Sequence, residues 1–309
     1  MARDPEKDWL GVGAAPPISV NWHLWPWCNY RCRFCFANLK GIRAPLAKRE
    51  AVEVLGILRS AGTEKLTFAG GEPTLCPYLA DMLRVSKDIG LTTMIITNGT
   101  RLNEPYLGEI ADLVDWLALS VDSASEDVER ALGRGNGNHV SLIREAASRI
   151  HDFGIWLKVN TVVTSLNWNE DMRPLITDLK PERWKVFQML PIKGENDRNS
   201  ADLVVSNEQF EAFVARHKNL NPIKEDNCAM TDSYLMIDPL GRFFQNTGGR
   251  YRYGPSILEV GLQEAIRGVG WDRGKFLVRG GYYRWSPGGK VMAVGREVVR
   301  ALKGGESGC

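Results

Sequence analysis

Three cysteines fall within eight residues in Cys28-Asn29-Tyr30-Arg31-Cys32-Arg33-Phe34-Cys35, with three residues in the first gap and two in the second. Thiols this close must pair, bind a metal ion or grip an inorganic cluster. Structural zinc sites close their coordination with four ligands, and protein-held iron–sulfur clusters usually take four thiolates. No fourth cysteine follows nearby, and Cys76, Cys228 and Cys309 are isolated and read as plain thiols. The triplet therefore points to a cluster with one iron left open, where substrate chemistry can take place. On spacing alone two other readings stay open: a zinc site completed by a distant ligand such as His23, and a disulfide with a spare thiol.

This Cx3CxxC spacing resembles the signature of the radical S-adenosylmethionine (radical SAM) enzymes, and an aromatic residue before the third cysteine, here Phe34, is typical of them. The resemblance implies a 4Fe–4S cluster whose open iron chelates the amino and carboxylate groups of S-adenosylmethionine. Composition is that of a soluble globular protein, with 44% apolar and 25% charged residues among 309. A net charge of +2 without a basic run gives no general affinity for nucleic acid. Met1 to Lys7 is charged and lacks the apolar core of a secretion signal. No apolar stretch approaches the roughly 18 residues that span a bilayer. Crowded cysteines fit a reducing cytoplasm better than a disulfide framework. A cytoplasmic monomer without nucleic-acid or membrane partners is expected.

Hydrophobic periodicity predicts strands over Ile18–Trp25, Lys65–Ala69, Leu91–Thr97, Asp115–Val121, Ile155–Val163 and Glu182–Gln188. Helices are predicted between them over Leu46–Ala61, Pro77–Ile89, Glu104–Leu113, Val140–Phe153 and Glu170–Leu179. This alternation implies an α/β fold with a parallel sheet and right-handed crossovers. Six units are too few for an eight-stranded barrel, so a partial (β/α)6 TIM-like barrel of the radical SAM type is expected. Its sites belong at the carboxyl ends of the strands, where the cysteine loop and the turn Gly70-Gly71-Glu72-Pro73 both fall. The domain reading is an N-terminal tail (1–17), the barrel (18–195), an α+β extension closing the barrel mouth (196–285) and a flexible tail (286–309). Within the extension a helix is expected over Ser206–His217, a hairpin across Pro239-Leu240-Gly241 and a helix over Ile257–Arg267.

Period-two alternation sets the faces of each strand. If apolar faces meet the helices, the opposite faces turn Lys65, Lys158, Arg183 and Lys185 into one lumen. Unpaired buried cations are costly, and an anion with several charges, such as a triphosphate, resolves the conflict. Taken singly, each lysine also reads as a solvated strand end, and His23 as a satisfied hydrogen-bonding residue. The Gly70–Pro73 stretch alone is an ordinary strand-to-helix turn. Asn98 and Ser120, at the ends of strands three and four, suit hydrogen bonds to a ribose or carboxylate.

Longer strings narrow the resemblance to viperin and its microbial relatives, from about Ser19 to Trp285. They include Ser19-Val20-Asn21-Trp22-His23, Glu64-Lys65 with the glycine turn, Gly133-Arg134-Gly135, Lys158-Val159-Asn160, Arg183-Trp184-Lys185-Val186-Phe187-Gln188, Asp232-Ser233-Tyr234-Leu235 and Phe276-Leu277-Val278-Arg279-Gly280-Gly281. Such enzymes convert a ribonucleoside triphosphate (CTP, UTP or GTP) to its 3′-deoxy-3′,4′-didehydro analogue, a terminator of viral polymerases. A 5′-deoxyadenosyl radical takes the C4′ hydrogen, and the 3′-hydroxyl leaves as water. The resemblance implies that Cys28, Cys32 and Cys35 hold the cluster. It assigns Phe36, Gly70, Gly71, Glu72, Asn98, Ser120 and Arg134 to S-adenosylmethionine. Asn21, His23, Lys65, Thr67, Lys158, Asn160, Arg183 and Lys185 would hold the nucleotide, and Tyr234 would close over it and deliver hydrogen or a proton. A flavodoxin- or ferredoxin-type donor supplies electrons. Trp22, Thr67 and Ala69 depart from the tyrosine, asparagine and serine of vertebrate members, and their amphipathic membrane helix has no counterpart. Another radical SAM branch acting on a nucleotide or peptide, and a zinc-stabilised nucleotide- or RNA-binding module, are the competing readings.

Overall fold

Runs of β-branched and aromatic residues alternate with amphipathic helices through the first two-thirds of the chain, and short crossovers of this kind pack strands in parallel. The computed structural model describes residues 17–39 and 41–285, so the expected tail 286–309 and nearly all of 1–17 lie outside the described residues. Strands β1 (Ser19–Trp25), β2 (Lys65–Gly70), β3 (Thr92–Thr97), β4 (Trp116–Ser120), β5 (Trp156–Val163) and β6 (Arg183–Gln188) each pair in parallel with the next. Between them run α1 (Lys48–Ser60), α2 (Leu79–Asp88), α3 (Glu104–Ile110), α4 (Glu126–Ala131), α5 (His139–Asp152) and α6 (Arg173–Leu179). The expected partial barrel is present.

Local chemistry sets the helix ends. Asn103 caps α3 by accepting from the Tyr106 amide, with Pro105 in the first turn. Helix α4 has no counterpart among the predicted elements; the Ser125 hydroxyl caps it by accepting from the Val128 amide.

The sheet buries both faces. Val20, Trp22 and Leu24 of β1, Leu66 and Phe68 of β2, Leu117 and Leu119 of β4, and Trp184 and Val186 of β6 pack outward in one continuous core. That core is completed by Val54, Leu55 and Leu58 of α1 and by Ile143, Ala147 and Ile150 of α5. The alternate residues of the same strands line the lumen, as period two requires.

The extension does not form a separate layer. It lengthens the sheet at both edges, giving ten strands in the order β10-β9-β8-β1-β2-β3-β4-β5-β6-β7. Strand β7 (Ile223–Glu225) pairs with β6, and β8 (Met236–Ile237) pairs with β1 in parallel. Strand β9 (Arg242–Thr247) returns antiparallel to β8, which is the expected hairpin, and β10 (Arg250–Ser256) pairs with β9. Strands β7 and β10 escape the sequence pattern because one has three residues and the other carries Gly254 and Pro255, which read as loop. The helix expected over Ile257–Arg267 is two helices, Ile257–Val260 and Leu262–Arg267, separated at Gly261, whose φ of 76° a helix cannot continue through. Among the described residues no helix is long and apolar enough to cross a membrane.

The extension meets the lumen at two ends. Beside the cysteine loop, the Tyr251 hydroxyl donates to the Phe36 carbonyl at 2.9 Å. At the amino ends of the strands, Trp116 Nε1 donates to the Trp285 carbonyl at 2.8 Å, and Lys65 Nζ donates to the Tyr283 hydroxyl at 2.6 Å. Because Trp116 opens β4 and Lys65 opens β2, residues 276–285 close the lumen from below. The expected closure of the mouth therefore has a counterpart at the opposite end.

Leu117 is fully buried between β4 and the helices. Leu117→Ala is expected to lower unfolding free energy by about 2–5 kcal/mol in urea titrations, because the site can collapse only partly.

Candidate active site

The cysteine loop leaves β1 and is held against the α4–α5 connection. Arg33 N donates to the Leu132 carbonyl at 2.9 Å and Arg31 N to the Gly133 carbonyl at 3.3 Å. Position 133 must be glycine: its φ is 80°, and a Cβ there would lie 2.3 Å from the Arg31 oxygen. Asn98, at the end of β3, reaches across with Nδ2 to Asn29 Oδ1 at 2.8 Å and approaches Cys28 Sγ at 3.8 Å. Asn98 thus steadies the loop, a more local task than contacting S-adenosylmethionine alone.

Burial raises all three thiols, Cys32 to about 12 and Cys35 to about 11, with negative charge on one raising the others and Arg134 opposing. Three thiolates together need a positively charged group between them. Among the described residues no three His, Cys, Asp or Glu side chains converge on one ion-sized position. A single zinc ion therefore has no preformed cage, whereas three soft donors around a shared wall fit a larger iron–sulfur cluster. His23 takes no part in it. It is buried against the rings of Phe244 and Phe36, its Nδ1 has no partner, and burial pushes it down to about 4. The expectation that His23 is a satisfied hydrogen-bonding residue does not hold.

The glycine turn stacks directly on the approach to the cysteines. Gly71 N donates to the Trp25 carbonyl at 2.7 Å and Glu72 N to the Trp27 carbonyl at 2.8 Å. A Cβ at Gly71 would lie 2.3 Å from the Trp27 oxygen, and one at Gly70, whose φ is 136°, 2.4 Å from that of Trp25. The Glu72 carboxylate accepts from Thr74 N, Thr74 Oγ1, Thr97 Oγ1 and Asn98 N, between 2.7 and 3.1 Å. Burial raises this group, and the four donors work against that. Glu72 is thereby a brace between the turn and β3.

Ser120 and Arg134 lie on the same wall. The Ser120 carbonyl accepts from His139 Nε2 at 2.9 Å, which fixes the tautomer and leaves Nδ1 to accept from the Tyr30 hydroxyl at 3.2 Å. Arg134 Nε donates to Asp122 Oδ2 at 2.6 Å with its guanidinium over Phe34. Phe36, 41% exposed, stands at the rim.

One cavity joins this wall to the cations. It is lined by the three cysteines, Phe36, Gly70, Gly71, Glu72, Asn98, Ser120 and Arg134, and equally by Asn21, His23, Lys65, Thr67, Lys158, Asn160, Lys185 and Tyr234. Lys65, Lys158 and Lys185 are at most 7% exposed, and each is pushed down by burial, with the neighbouring cations adding to it. Lys158 has no acid partner among the described residues, and Asn160 Oδ1 is likewise unpartnered. Strands rise about 3.3 Å per residue, so Lys65 and Gly70 at the two ends of β2 stand about 16 Å apart.

Arg183 is the exception. It stacks on Tyr283, 4.0 Å from the ring centre, and donates to the Gly280 carbonyl at 3.0 Å, so it supports the floor and does not line the cavity. Arg279 lines it instead, over the Tyr234 ring at 3.6 Å. Arg279 was visible in the sequence only inside a longer string, and its partner Glu225, in a three-residue strand, gave no signal. Cys228, read as a plain thiol, is not among the free ones, and Cys309 lies outside the described residues.

Glu72→Gln replaces an acceptor that four donors share with an amide that must itself donate. Denaturant unfolding is expected to show about 1–3 kcal/mol lost, and equilibrium dialysis a weakened hold on S-adenosylmethionine.

Comparison with known proteins agrees with this geometry. The model of the Radical SAM superfamily matches residues 22–179. An S-adenosylmethionine-dependent nucleotide dehydratase of Flammeovirga pacifica is 43% identical over 277 residues, covering 86% of this chain and 96% of that one. The S-adenosylmethionine-dependent nucleotide dehydratase RSAD2 of Oncorhynchus mykiss is 37% identical over 290 residues, covering 90% and 83%. Among solved structures, SuiB of Streptococcus suis bound to S-adenosylmethionine superimposes with a TM-score of 0.61 at 14% identity, covering 77% of this chain and 62% of that one. Native anSMEcpe with bound AdoMet and Cp18Cys peptide gives 0.63 at 15% identity, covering 84% and 83%, which is a likeness of fold. The chain belongs to the radical SAM superfamily and, within it, to the viperin-like S-adenosylmethionine-dependent nucleotide dehydratases.

Proposed function

We propose that this protein dehydrates a ribonucleoside triphosphate (CTP, UTP or GTP) to its 3′-deoxy-3′,4′-didehydro analogue, using S-adenosylmethionine as the radical source. The observation that carries this reading is the two-ended cavity, with three thiols at the carboxyl ends of the strands and buried cations toward the amino ends. The activity in the relatives' names supports it. A closed lumen with an uncompensated lysine suits a polyanion and not a peptide.

When bound at Cys28, Cys32 and Cys35, a 4Fe–4S cluster supplies the electron that splits S-adenosylmethionine into methionine and a 5′-deoxyadenosyl radical. The chain's own part is placement. Gly70 and Gly71 let backbone approach the methionine, and Ser120 and Arg134 stand where its carboxylate would lie. Lys65, Lys158, Lys185 and Arg279 would seat the phosphates. Asn21, Thr67 and Asn160 lie between the two groups, where the ribose must sit if C4′ is to face the radical. Positioning of this kind is what removes the entropic part of the barrier. The buried walls keep water from quenching the radical. Loss of the 3′-hydroxyl as water takes up one proton, and one further electron closes the 3′,4′ double bond. Tyr234, whose hydroxyl lines the cavity, is placed to pass hydrogen or a proton.

We place the protein in the cytoplasm as a monomer, served by a flavodoxin- or ferredoxin-type donor. The crowded free thiols and the exposed Trp27 beside Cys28 support this. A product without the 3′-hydroxyl that polymerases extend supports a role in antiviral defence.

Reconstituted, reduced enzyme given S-adenosylmethionine and each triphosphate in turn is expected to release 5′-deoxyadenosine with a nucleotide lighter by one water, read by mass spectrometry. Cleavage indifferent to every nucleotide, with no dehydrated product, would overturn the reading. Lys158→Met is expected to raise the KM for the nucleotide about tenfold or more while leaving the affinity for S-adenosylmethionine unchanged.

A further inference from the structure

Glu225 ends β7 fully buried, and its carboxylate is shared by three groups of the cavity wall. Oε1 accepts from Lys185 Nζ and, at 3.1 Å, from Arg279 Nη1, while Oε2 accepts from the Tyr234 hydroxyl. Lys185 also donates to the Tyr234 oxygen at 3.1 Å. These partners come from β6, from the segment before β8 and from the residue following the helix Arg273–Val278. One carboxylate therefore ties the barrel to its extension at the cationic end. Neither the glutamate nor its network has a role in the function proposed above.

Resting on the reading of this end as a triphosphate seat, we propose that Glu225 is a positioning residue for the substrate's phosphates. It is an internal anion that keeps Lys185 charged and aimed into the lumen before the nucleotide arrives. The surroundings of Lys185 explain the need. Arg279 and Tyr234 face it from the extension, Arg183 shares its strand, and Lys65 and Lys158 act on it from β2 and β5. Glu225 is the one carboxylate in that set. Burial pushes Lys185 down to about 7, countered by Glu225 and reinforced by Arg279 and Arg183. Burial alone would raise the Glu225 carboxyl, but Lys185 and Arg279 carry it to about 2, so it stays ionised near neutrality.

The sign follows from linkage. A lysine whose pKa has fallen is charged below that pKa and neutral above it. Without the glutamate charge Lys185 drops further, loses its proton near neutral pH and regains it only in more acid solution. A bound polyphosphate favours the charged form, so binding to such a variant must take up a proton.

The test is calorimetric titration of the reconstituted full-length protein with inorganic triphosphate and with CTP at about pH 6 and about pH 8. The ratio of variant to wild-type Kd cancels the titration of the ligand itself. For Glu225→Gln that ratio is expected to be about tenfold or more at about pH 8 and to fall toward one at about pH 6. Close to one extra proton should be taken up per ligand at the higher pH. Glu225→Asp, which keeps the charge, should give a ratio that does not change with pH. Should Glu225→Gln fail to fold with Lys185 and Arg279 left facing each other, the same substitution is made in a Lys185→Met background. Its ratio to the Lys185→Met single variant should then be independent of pH, and a pH dependence persisting there would assign the titration to Lys65 or Lys158 and refute the proposal. So would a Glu225→Gln variant that binds as tightly as wild type, or one weakened equally at both pH values. If wild type binds neither probe, the triphosphate reading fails and the proposal with it; wild-type binding with an indifferent variant defeats the Glu225 assignment alone.

Discussion

Like charges held out of water are the constraint to which the rest of this structure answers. Lys65, Lys158, Lys185 and Arg279 share one lumen, where burial and mutual repulsion both oppose the charged state. The protein relieves part of that cost internally. Glu225 takes two of the cations, and Tyr283 takes Lys65 by hydrogen bond with its ring 4.6 Å away. Lys158 is left with no acid partner among the described residues. What stabilises the fold least is thus what a polyanionic ligand would stabilise most, the usual relation between a strained site and its substrate.

The opposite end of the lumen is governed by backbone proximity. Three glycines, at 70, 71 and 133, allow the turn after β2 and the connection after α4 to lie against the cysteine loop with no room for a Cβ. Carboxylates then brace the pieces: Glu72 joins the turn to β3, and Glu129 accepts from the amides of Asp122 and Ser123 while Asp122 holds Arg134. Such braces fix ligands that would otherwise sit on loops, and they do so without contacting any reacting atom.

Most of the barrel was legible in the sequence because each strand and helix has its own period, and because parallel strands place their carboxyl-end loops together. The lumen-facing identities of Lys65, Lys158 and Lys185 followed from alternation alone. Arg183 obeyed the same alternation yet left the cavity, because Tyr283, some hundred residues later, offers its ring as a better surface for a guanidinium. The extension was poorly legible for a different reason: β7 and β8 have three and two residues, and pairing with strands far away in sequence holds them, not their own propensity.

The sequence by itself determined the donor set and the fold class, since cysteine spacing and strand–helix period are local properties that any packing must respect. Only the tertiary structure decided which charges face one another. The pairing of Glu225 with Lys185, Arg279 and Tyr234, and the closing of the lumen at its lower end by Trp285 and Tyr283, join residues far apart along the chain. Such contacts depend on how the sheet twists and where its edges end, and no window of the sequence contains that information.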